Sequence, residues 1–139
     1  MSEQASGRPA PTVSRDSRFF WEGAKQDELR IQRCNACGRL HHPPRPMCSE
    51  CHATDMGYRV VSGRGRVYSW IRPVYPPMPM FDEGLVVALV NLDEGPRVMT
   101  NIREIDFHDI RKDMPVEVFF EPVQGGYKVP QFRPIRQSS

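Results

Sequence analysis

Two pairs of cysteines constrain this chain more than any other feature of its sequence. Cys34 and Cys37 form one Cys-x2-Cys pair, ten residues follow, and Cys48 and Cys51 form a second pair. A gap of two residues lets a tight turn direct both sulfurs to one centre, so two such pairs supply four thiolates to one tetrahedral metal ion. Because residues 1–15 contain no apolar export segment, we expect a cytoplasmic chain whose thiols stay reduced, which disfavours disulfides.

A structural zinc ion is the predicted occupant of this site. Four protein sulfurs complete the coordination shell and leave no position for a reactive water. Iron in a rubredoxin-like site is the alternative, since tetrahedral sulfur also suits iron. Gly38 follows the first pair and permits the positive φ that such a turn needs, whereas His52 follows the second. We interpret His41, His42 and His52 as rim residues, because the four cysteines already fill the shell.

The apolar inventory is small for a chain of 139 residues. Leu, Ile, Val and Phe together make up 31 residues, and Gly and Pro a further 24. Val outnumbers Leu by 13 to 5, which favours strands because β-branched side chains suit a pleated sheet. No apolar run approaches the ~20 residues that span a bilayer, so we expect no membrane segment. The composition predicts a mainly β protein with a thin core.

Changes in composition along the chain predict a tail and two further parts. Residues 1–15 are polar and predict a disordered tail. Residues 16–56 predict an N-terminal helix and the zinc ribbon, in which Leu29–Arg33 alternates in polarity like a short strand. Residues 57–136 predict a barrel.

Alternating apolar residues from Gly57 onward predict the strands of this barrel. Tyr58–Ser62 and Arg66–Arg72 are expected to form one long strand, bent near Gly63 and Gly65, because glycine marks such bends. Leu85–Leu92 is apolar on both faces, which predicts a central strand covered on both sides. Five strands with a connector between the third and fourth fit an OB-fold barrel, and an SH3-like barrel is the alternative. The remaining strands are expected over Arg97–Ile102, Met114–Glu121 and Tyr127–Phe132, and the connector over Ile105–Lys112.

Two apolar segments are candidate partner-binding surfaces. The helix, expected from a cap at Asp16 or Ser17 to about Gln26, carries three consecutive aromatic residues that span about 200° of its surface. The loop Pro73–Asp82 holds four prolines, which prevent regular structure, beside apolar and methionine side chains that suit an adaptable contact. The alternative is burial within this chain, with the loop closing the barrel end. The candidate residues are Phe19, Phe20, Trp21, Tyr75, Met78, Met80 and Phe81.

Catalytic arrangements are scarce in this sequence. No Gly-x-Ser-x-Gly elbow, phosphate-binding loop or His-Glu-x-x-His motif occurs. His108, close to Asp106 and Asp109, is the one histidine outside the ribbon and therefore the one candidate base. A histidine in a polar connector is usually solvated. The sequence therefore predicts a protein that is not itself an enzyme.

Several short motifs resemble a single family. They are Phe20-Trp21-Glu22-Gly23, Glu28-Leu29-Arg30-Ile31-Gln32-Arg33-Cys34, Cys37-Gly38, Pro43-Pro44-Arg45-Pro46, the second cysteine pair, Gly65-x-Val67-Tyr68-Ser69-Trp70, Val87-Ala88-Leu89-Val90-x-Leu92-x-Glu94-Gly95-Pro96 and Phe132-Arg133-Pro134. Together they extend over about Asp16 to Pro134. The chain resembles the zinc-ribbon and OB-fold family formerly called domain of unknown function thirty-five, which is now described as acyl-CoA-associated.

This resemblance implies both a fold and a role. The implied fold is an N-terminal helix, a rubredoxin-like zinc ribbon and a C-terminal five-stranded OB-fold barrel. The implied role is a non-catalytic accessory or scaffold subunit of thiolase-type enzymes, including archaeal acetoacetyl-CoA condensation complexes and the CoA-thioester aldolases of bacterial steroid breakdown. The family also occurs fused to hydratases, and no such domain is found here. The thiolase-fold partner is therefore expected on a separate chain, with acyl-CoA at the shared interface.

Arginines on the bent first strand are candidate contacts for the phosphates of CoA. Arg outnumbers Lys by 16 to 3, and a planar guanidinium recognises phosphate through paired hydrogen bonds. The candidates are Arg64, Arg66 and Arg72. A solvated basic face is the alternative interpretation.

Two other classes of function stay open, a single-stranded nucleic-acid-binding protein and a free-standing acyl-CoA-binding protein. Tyr68, Trp70 and Arg72 are expected on one face of a strand, as base stacking would require. The formal charge of +2 falls to about zero once four thiolates and one zinc ion are counted, and residues 73–139 carry 7 basic against 10 acidic side chains. A near-neutral protein with an acidic barrel is a poor non-specific ligand for nucleic acid, so a protein partner is favoured.

Overall fold

The computed structural model describes residues 10–72 and 85–135. Within these two ranges the chain is mainly β, with one α-helix, a three-stranded sheet and a five-stranded sheet. The predicted mainly β fold is thereby confirmed. Residues 1–9 of the expected tail and the predicted contact residues Tyr75, Met78, Met80 and Phe81 lie outside the described residues. The helix of the described ranges has eight residues, which is too few to span a membrane.

The smaller sheet forms the ribbon. Its strands are β1 (Leu29–Cys34), β2 (Leu40–His41) and β3 (Met56–Val61). They are antiparallel in the order β2-β1-β3, and β1 is the strand predicted before the first cysteine pair. Every residue of β3 pairs with β1, so the segment that follows the second cysteine pair belongs to the ribbon sheet.

The larger sheet forms the barrel. Its strands are β4 (Arg64–Ile71), β5 (Val87–Leu92), β6 (Arg97–Asn101), β7 (Pro115–Pro122) and β8 (Lys128–Pro134). They are antiparallel in the order β6-β5-β4-β7-β8. Ile102, just after β6, bridges Phe132 of β8 in parallel orientation, and the Arg103 N–H donates to the Phe132 carbonyl at 2.8 Å. This parallel approach of the third strand to the fifth closes the sheet into the OB-type barrel.

A break at Gly63 separates the two sheets. The expected single strand from Tyr58 to Arg72 is wrong, because its first part is β3 of the ribbon and its second part is β4 of the barrel. Gly63 adopts a φ of +79°, which residues with a Cβ avoid, and its carbonyl accepts a hydrogen bond of 2.7 Å from the Val118 N–H of β7. The chain therefore turns from one sheet into the other at Gly63 instead of bending within one strand.

A β-bulge in β4 decides which of its side chains face outward. The pairing of β4 with β5 shifts at Tyr68, which becomes the extra residue of the bulge. Trp70 therefore packs against the core, while Tyr68 stays 40% exposed. The Arg72 guanidinium lies 4.9 Å from the centre of the Phe107 ring. The expectation that Tyr68, Trp70 and Arg72 share one face is wrong for this reason.

One hydrophobic core joins the ribbon to the barrel. Leu29, Ile31 and Val61 of the ribbon belong to the same buried cluster as the inward residues of the barrel strands. Along β5 every second residue is buried and the others are half-buried, so the prediction of a strand covered on both sides holds fully for one side only. Because the core is shared, loss of the ribbon removes part of the packing that stabilises the barrel.

The helix α1 spans Arg18–Lys25 and contacts β1 and β8. Ser17 occupies its N-cap position as predicted, but its hydroxyl accepts a hydrogen bond from the Ser14 N–H at 3.0 Å and caps no helical N–H. Ala24 is fully buried on the inner face of the helix, and Phe20 packs against the shared core. The helix is therefore held mainly by the burial of this face.

Candidate metal centre and contact surfaces

The four predicted cysteines lie together at one end of the ribbon. Their sulfurs are all within 4.8 Å of one another, and Cys34–Cys51 and Cys37–Cys48 are separated by 3.5 and 3.7 Å between Sγ atoms. A tetrahedral site with a metal–sulfur bond of about 2.3 Å has sulfurs about 3.8 Å apart. The donor set therefore fits a tetrahedral ion. Among the described residues it is the one group of three or more His, Cys, Asp or Glu side chains arranged in this way.

Two similar backbone turns present these sulfurs. In the first turn the Gly38 N–H donates to the Cys34 carbonyl at 2.8 Å, and in the second the His52 N–H donates to the Cys48 carbonyl at 2.9 Å. Gly38 and His52 both have positive φ angles, +81° and +63°. His52 therefore takes the left-handed conformation for which the first turn uses glycine, and the two turns are alike although their sequences differ.

Replacing His52 by glycine should stabilise the metal-loaded chain by about 1 kcal/mol. A residue with a Cβ in the left-handed region is strained by about 1–2 kcal/mol, and glycine gives back part of this gain through its greater freedom in the unfolded chain. The His52 side chain is exposed, so little packing is lost. Denaturant unfolding measures the difference. The control Ser49→Gly, an exposed position in the same turn, should lower stability, and a His52→Gly variant no more stable than the parent would contradict the argument.

The hydrogen-bonding environment gives the thiols unequal acidities. The N–H of Cys51, with further donors from Glu50 and His41, lowers the pKa of Cys48 to about 5 despite burial. At Cys51 the N–H of Ala53 favours the thiolate, but the Cys34 sulfur, burial and the other two sulfurs outweigh it and raise the pKa to about 12. Metal binding must therefore displace a proton from Cys51 at neutral pH, and metal affinity should rise with pH.

His41 supports the metal site from the interior. Its side chain is buried, and its Nε2 lies 3.3 Å from the Sγ of Cys48, where an N–H can donate to the thiolate. The interpretation of the histidines as rim residues is therefore wrong for His41, although His52 is exposed as expected. No pattern in the local sequence indicates this burial, because it depends on the packing around β2.

Gln32 is a second residue that sequence analysis missed. It is buried in β1, its side-chain carbonyl accepts from the Arg45 N–H at 2.8 Å, and its side-chain amide donates to the Arg45 carbonyl at 2.7 Å. This paired contact fixes the proline-containing loop between the two cysteine pairs. The alternation of Leu29–Arg33 indicated a strand but did not show which of its polar residues is buried.

The three aromatic residues of α1 are all half-buried. The Phe19 ring stacks on Tyr58 with centroids 5.7 Å apart, and Phe20 meets Trp21 edge to face at 4.9 Å. Phe20 and Trp21 line a cleft of about 340 Å³ between α1, the ribbon loop and the barrel edge. His42 lies in this cleft, and burial lowers the pKa of its imidazole. The triplet thus divides between two sides of the helix.

The arginines predicted to contact phosphate lie on β4 or directly after it. Arg64 and Arg66 are exposed on β4, and Arg66 donates to the Asp113 carbonyl at 3.0 Å. The Arg72 guanidinium lies over the Phe107 ring. His108 is exposed on the short 3-10 turn, and its backbone N–H donates to the Asp106 side chain at 2.9 Å.

Four sulfurs at tetrahedral spacing, on a ribbon that shares its core with a five-stranded barrel, define a metal-ribbon and OB-fold protein. Residues 21–57 match the family described as "ChsH2, rubredoxin-like zinc ribbon domain", and residues 58–121 match "ChsH2, C-terminal OB-fold domain". The chain belongs to this family, whose relatives also carry the designation DUF35. The family predicted from the short motifs is confirmed.

Curated relatives carry two kinds of name. The chain is 43% identical over 127 residues to a probable enoyl-CoA hydratase alpha subunit of Thermomonospora curvata, with 91% of this chain and 40% of that protein covered. It is 41% identical over 110 residues to the 3-oxo-4,17-pregnadiene-20-carboxyl-CoA hydratase alpha subunit of Mycobacterium tuberculosis, covering 79% and 35%. The chain therefore spans less than half the length of these two relatives. A DUF35 domain-containing scaffold protein of Pyrococcus furiosus is 31% identical over 132 residues, covering 88% and 94%.

Two solved structures share the fold. One is a chain of the "Ltp2-ChsH2(DUF35) aldolase", with a TM-score of 0.85 and 42% identity, covering 90% of this chain and 98% of that one. The other is a DUF35-family protein of unknown function from Sulfolobus solfataricus, with a TM-score of 0.60 and 16% identity. The second shows the fold alone.

Proposed function

We propose that the chain is a non-catalytic accessory subunit that binds a thiolase-type enzyme, either a thiolase or a CoA-thioester aldolase, acting on acyl-CoA in lipid or steroid metabolism. The observation that carries this proposal is the match to a chain of the Ltp2-ChsH2(DUF35) aldolase, which covers 98% of that chain at 42% identity. The name pairs such a chain with a second protein. Relatives named as scaffold proteins, including one covered over 94% of its length, support the same role.

The lack of a catalytic role is supported by the chemistry of the described residues. The four clustered cysteine sulfurs can complete the tetrahedral coordination of a metal ion, which leaves no coordination position for substrate. His108 is exposed, and its neighbours Asp106 and Asp109 are exposed too, so no desolvated acid–base pair forms there. A place within a hydratase assembly is the second candidate, because two relatives are named as hydratase alpha subunits. It is less favoured because the chain covers only 40% of one and 35% of the other.

We propose that the metal is a structural zinc ion held by Cys34, Cys37, Cys48 and Cys51. The sulfur spacing and the contact of the His41 Nε2 with the Cys48 sulfur fit such an ion, which would supply a cross-link between the two turns of the ribbon. Placement in the cytoplasm agrees with this, since the thiols stay reduced there. Metal analysis of the purified chain distinguishes zinc, which is colourless, from iron, whose thiolate complex absorbs visible light.

Nucleic-acid binding is the less favoured alternative. A groove that binds single-stranded nucleic acid needs positive charge along its length and exposed aromatic residues on which the bases stack. Trp70 packs inward, and the partly exposed ring of Tyr68 is stacked by Arg97, whose guanidinium lies 3.7 Å from the ring centre. Contacts of the partner with the aromatic triplet, and of CoA with Arg64, Arg66 or Arg72, stay part of the proposal.

Purification from the native host tests the proposed function. A tagged chain expressed at its natural level should co-elute with one thiolase-type enzyme at equal stoichiometry, identified by mass spectrometry. That enzyme, purified separately, should bind the chain in calorimetry. Retention of the chain on single-stranded DNA in low salt, with no thiolase-type enzyme bound, would overturn the proposal.

A further inference from the structure

The outer face of β4, β5 and β6 carries exposed apolar residues in neighbouring positions. Ile71 pairs with Val87, and Leu89 pairs with Met99, so the four side chains lie on adjacent rungs of the sheet. Ile71 is 61% exposed and Met99 is 72% exposed, while Val87 and Leu89 are half-buried. A contiguous apolar surface of this kind marks an interaction site more often than single exposed residues do.

A row of two arginines borders this apolar surface. Arg66 of β4 pairs with Asn91 of β5, and Asn91 pairs with Arg97 of β6. Both arginine side chains therefore lie on the same outer face, next to the pair formed by Leu89 and Met99. Arg97 donates to the Asn91 side chain at 2.7 Å, and Arg66 donates to a backbone carbonyl. Neither arginine forms an ion pair with any residue of the described ranges. Both therefore offer a positive charge to a partner.

We propose that this outer face, formed by Ile71, Val87, Leu89 and Met99 and bordered by Arg66 and Arg97, docks the enzyme subunit through a partner surface of apolar side chains beside carboxylates. This inference rests on the proposed function, which supplies the enzyme. The sequence predicted no contact with a partner protein for this part of the barrel. Of the six residues, only Arg66 was a predicted contact, and that was with the phosphates of CoA. Apolar contact supplies the affinity, and the arginine–carboxylate pairs set orientation and association rate.

Charge complementarity favours a separate acidic partner over a second copy of this chain. Strands β4, β5 and β6 contain no Asp or Glu, so two copies meeting through this face would bury guanidiniums without carboxylates opposite them. A buried charge without a partner is strongly destabilising. A partner that presents carboxylates beside an apolar cluster satisfies both halves of the face.

The test measures the affinity of the purified enzyme, once identified as above, for two matched variants. Met99→Glu places a negative charge at the most exposed apolar position of the face and should weaken binding at least tenfold, a typical effect at the centre of an interface. The control Val60→Glu makes the same kind of change at a 49% exposed apolar position of the ribbon edge and should bind like the parent. Arg97→Glu should also weaken binding and reduce its dependence on salt.

The outcomes separate this inference from the proposed function. If the parent binds the enzyme and Met99→Glu binds equally well, with unchanged metal content and melting temperature, the assigned face is wrong and the proposed function stands. If the parent binds no thiolase-type enzyme, both fail. If light scattering shows that the isolated chain is a dimer that Met99→Glu dissociates, the face joins two copies and the proposal is overturned. Selective weakening by Met99→Glu and Arg97→Glu, but not by Val60→Glu, supports it.

Discussion

Replacing Cys48 by serine is expected to remove the metal and to lower the melting temperature of the whole chain by more than ~10 °C. Cys48 is buried and supplies one of four sulfurs, and structural sites of this kind contribute folding free energy directly. The loss extends beyond the ribbon because Leu29, Ile31 and Val61 lie in the same core as the barrel strands. At about 3 °C per kcal/mol for a chain of this size, a loss of 4 kcal/mol or more gives the stated shift.

Metal content and thermal unfolding of Cys48→Ser check this expectation together. Treating the parent with a chelator should produce the same loss of stability, and added metal should reverse it. The neighbouring exposed substitution Ser49→Ala is the control and should keep full metal content and the parent melting temperature. A Cys48→Ser variant that melts like the parent would show that the ribbon needs no metal for its fold.

Gly63→Ala is expected to destabilise the chain by about 3 kcal/mol. The left-handed backbone at Gly63 strains any residue with a Cβ by about 1–2 kcal/mol. A Cβ at this position would also overlap the Cγ1 atom of Val118, and overpacking of this kind costs about 1–3 kcal/mol more. The backbone cannot move away freely, because the Gly63 carbonyl is held by the Val118 N–H. Equilibrium denaturation measures the loss.

Gly126→Ala is the matched control for this substitution. Gly126 has the same φ of +79°, and no heavy atom lies within 4 Å of the position of its Cβ, so it should lose only about 1 kcal/mol. The double variant Gly63→Ala/Val118→Ala removes the overlapping methyl and should be less destabilised than the sum of the two single variants. Equal losses for Gly63→Ala and Gly126→Ala would mean that the overlap with Val118 contributes nothing.

The metal ligands could be predicted from the sequence because their spacing alone determines the geometry. Two residues between cysteines allow one turn, and the turn directs both sulfurs to one point whatever the rest of the chain does. The number of barrel strands was equally accessible, since alternating apolar residues and the turns between them mark each strand. The buried His41 beside Cys48 was not, because its burial depends on packing around β2 that local sequence does not encode.

The prediction that differed most from the structure is the single long strand, which in fact divides between the two sheets. Gly63 and Gly65 both suggested a bend, but only the contact of Gly63 with Val118, 55 positions away in the chain, shows that the chain leaves one sheet and enters another. The bulge at Tyr68 is a similar case, because its register depends on pairing with β5. Because of this bulge, the Trp70 side chain packs against the core instead of lying on the same face as Tyr68. Long-range pairing decides such features, whereas spacing decides the metal site.

Turnover of acyl-CoA by the partner enzyme, measured with increasing amounts of this chain, tests the proposed role of the chain as a non-catalytic subunit. We expect that the chain alone has no activity, that the enzyme alone has little, and that activity rises until the chain and the enzyme are present at equal stoichiometry. Acyl-CoA turnover by the chain alone, or full activity of the enzyme without the chain, would contradict the assignment of a non-catalytic subunit on which the enzyme depends.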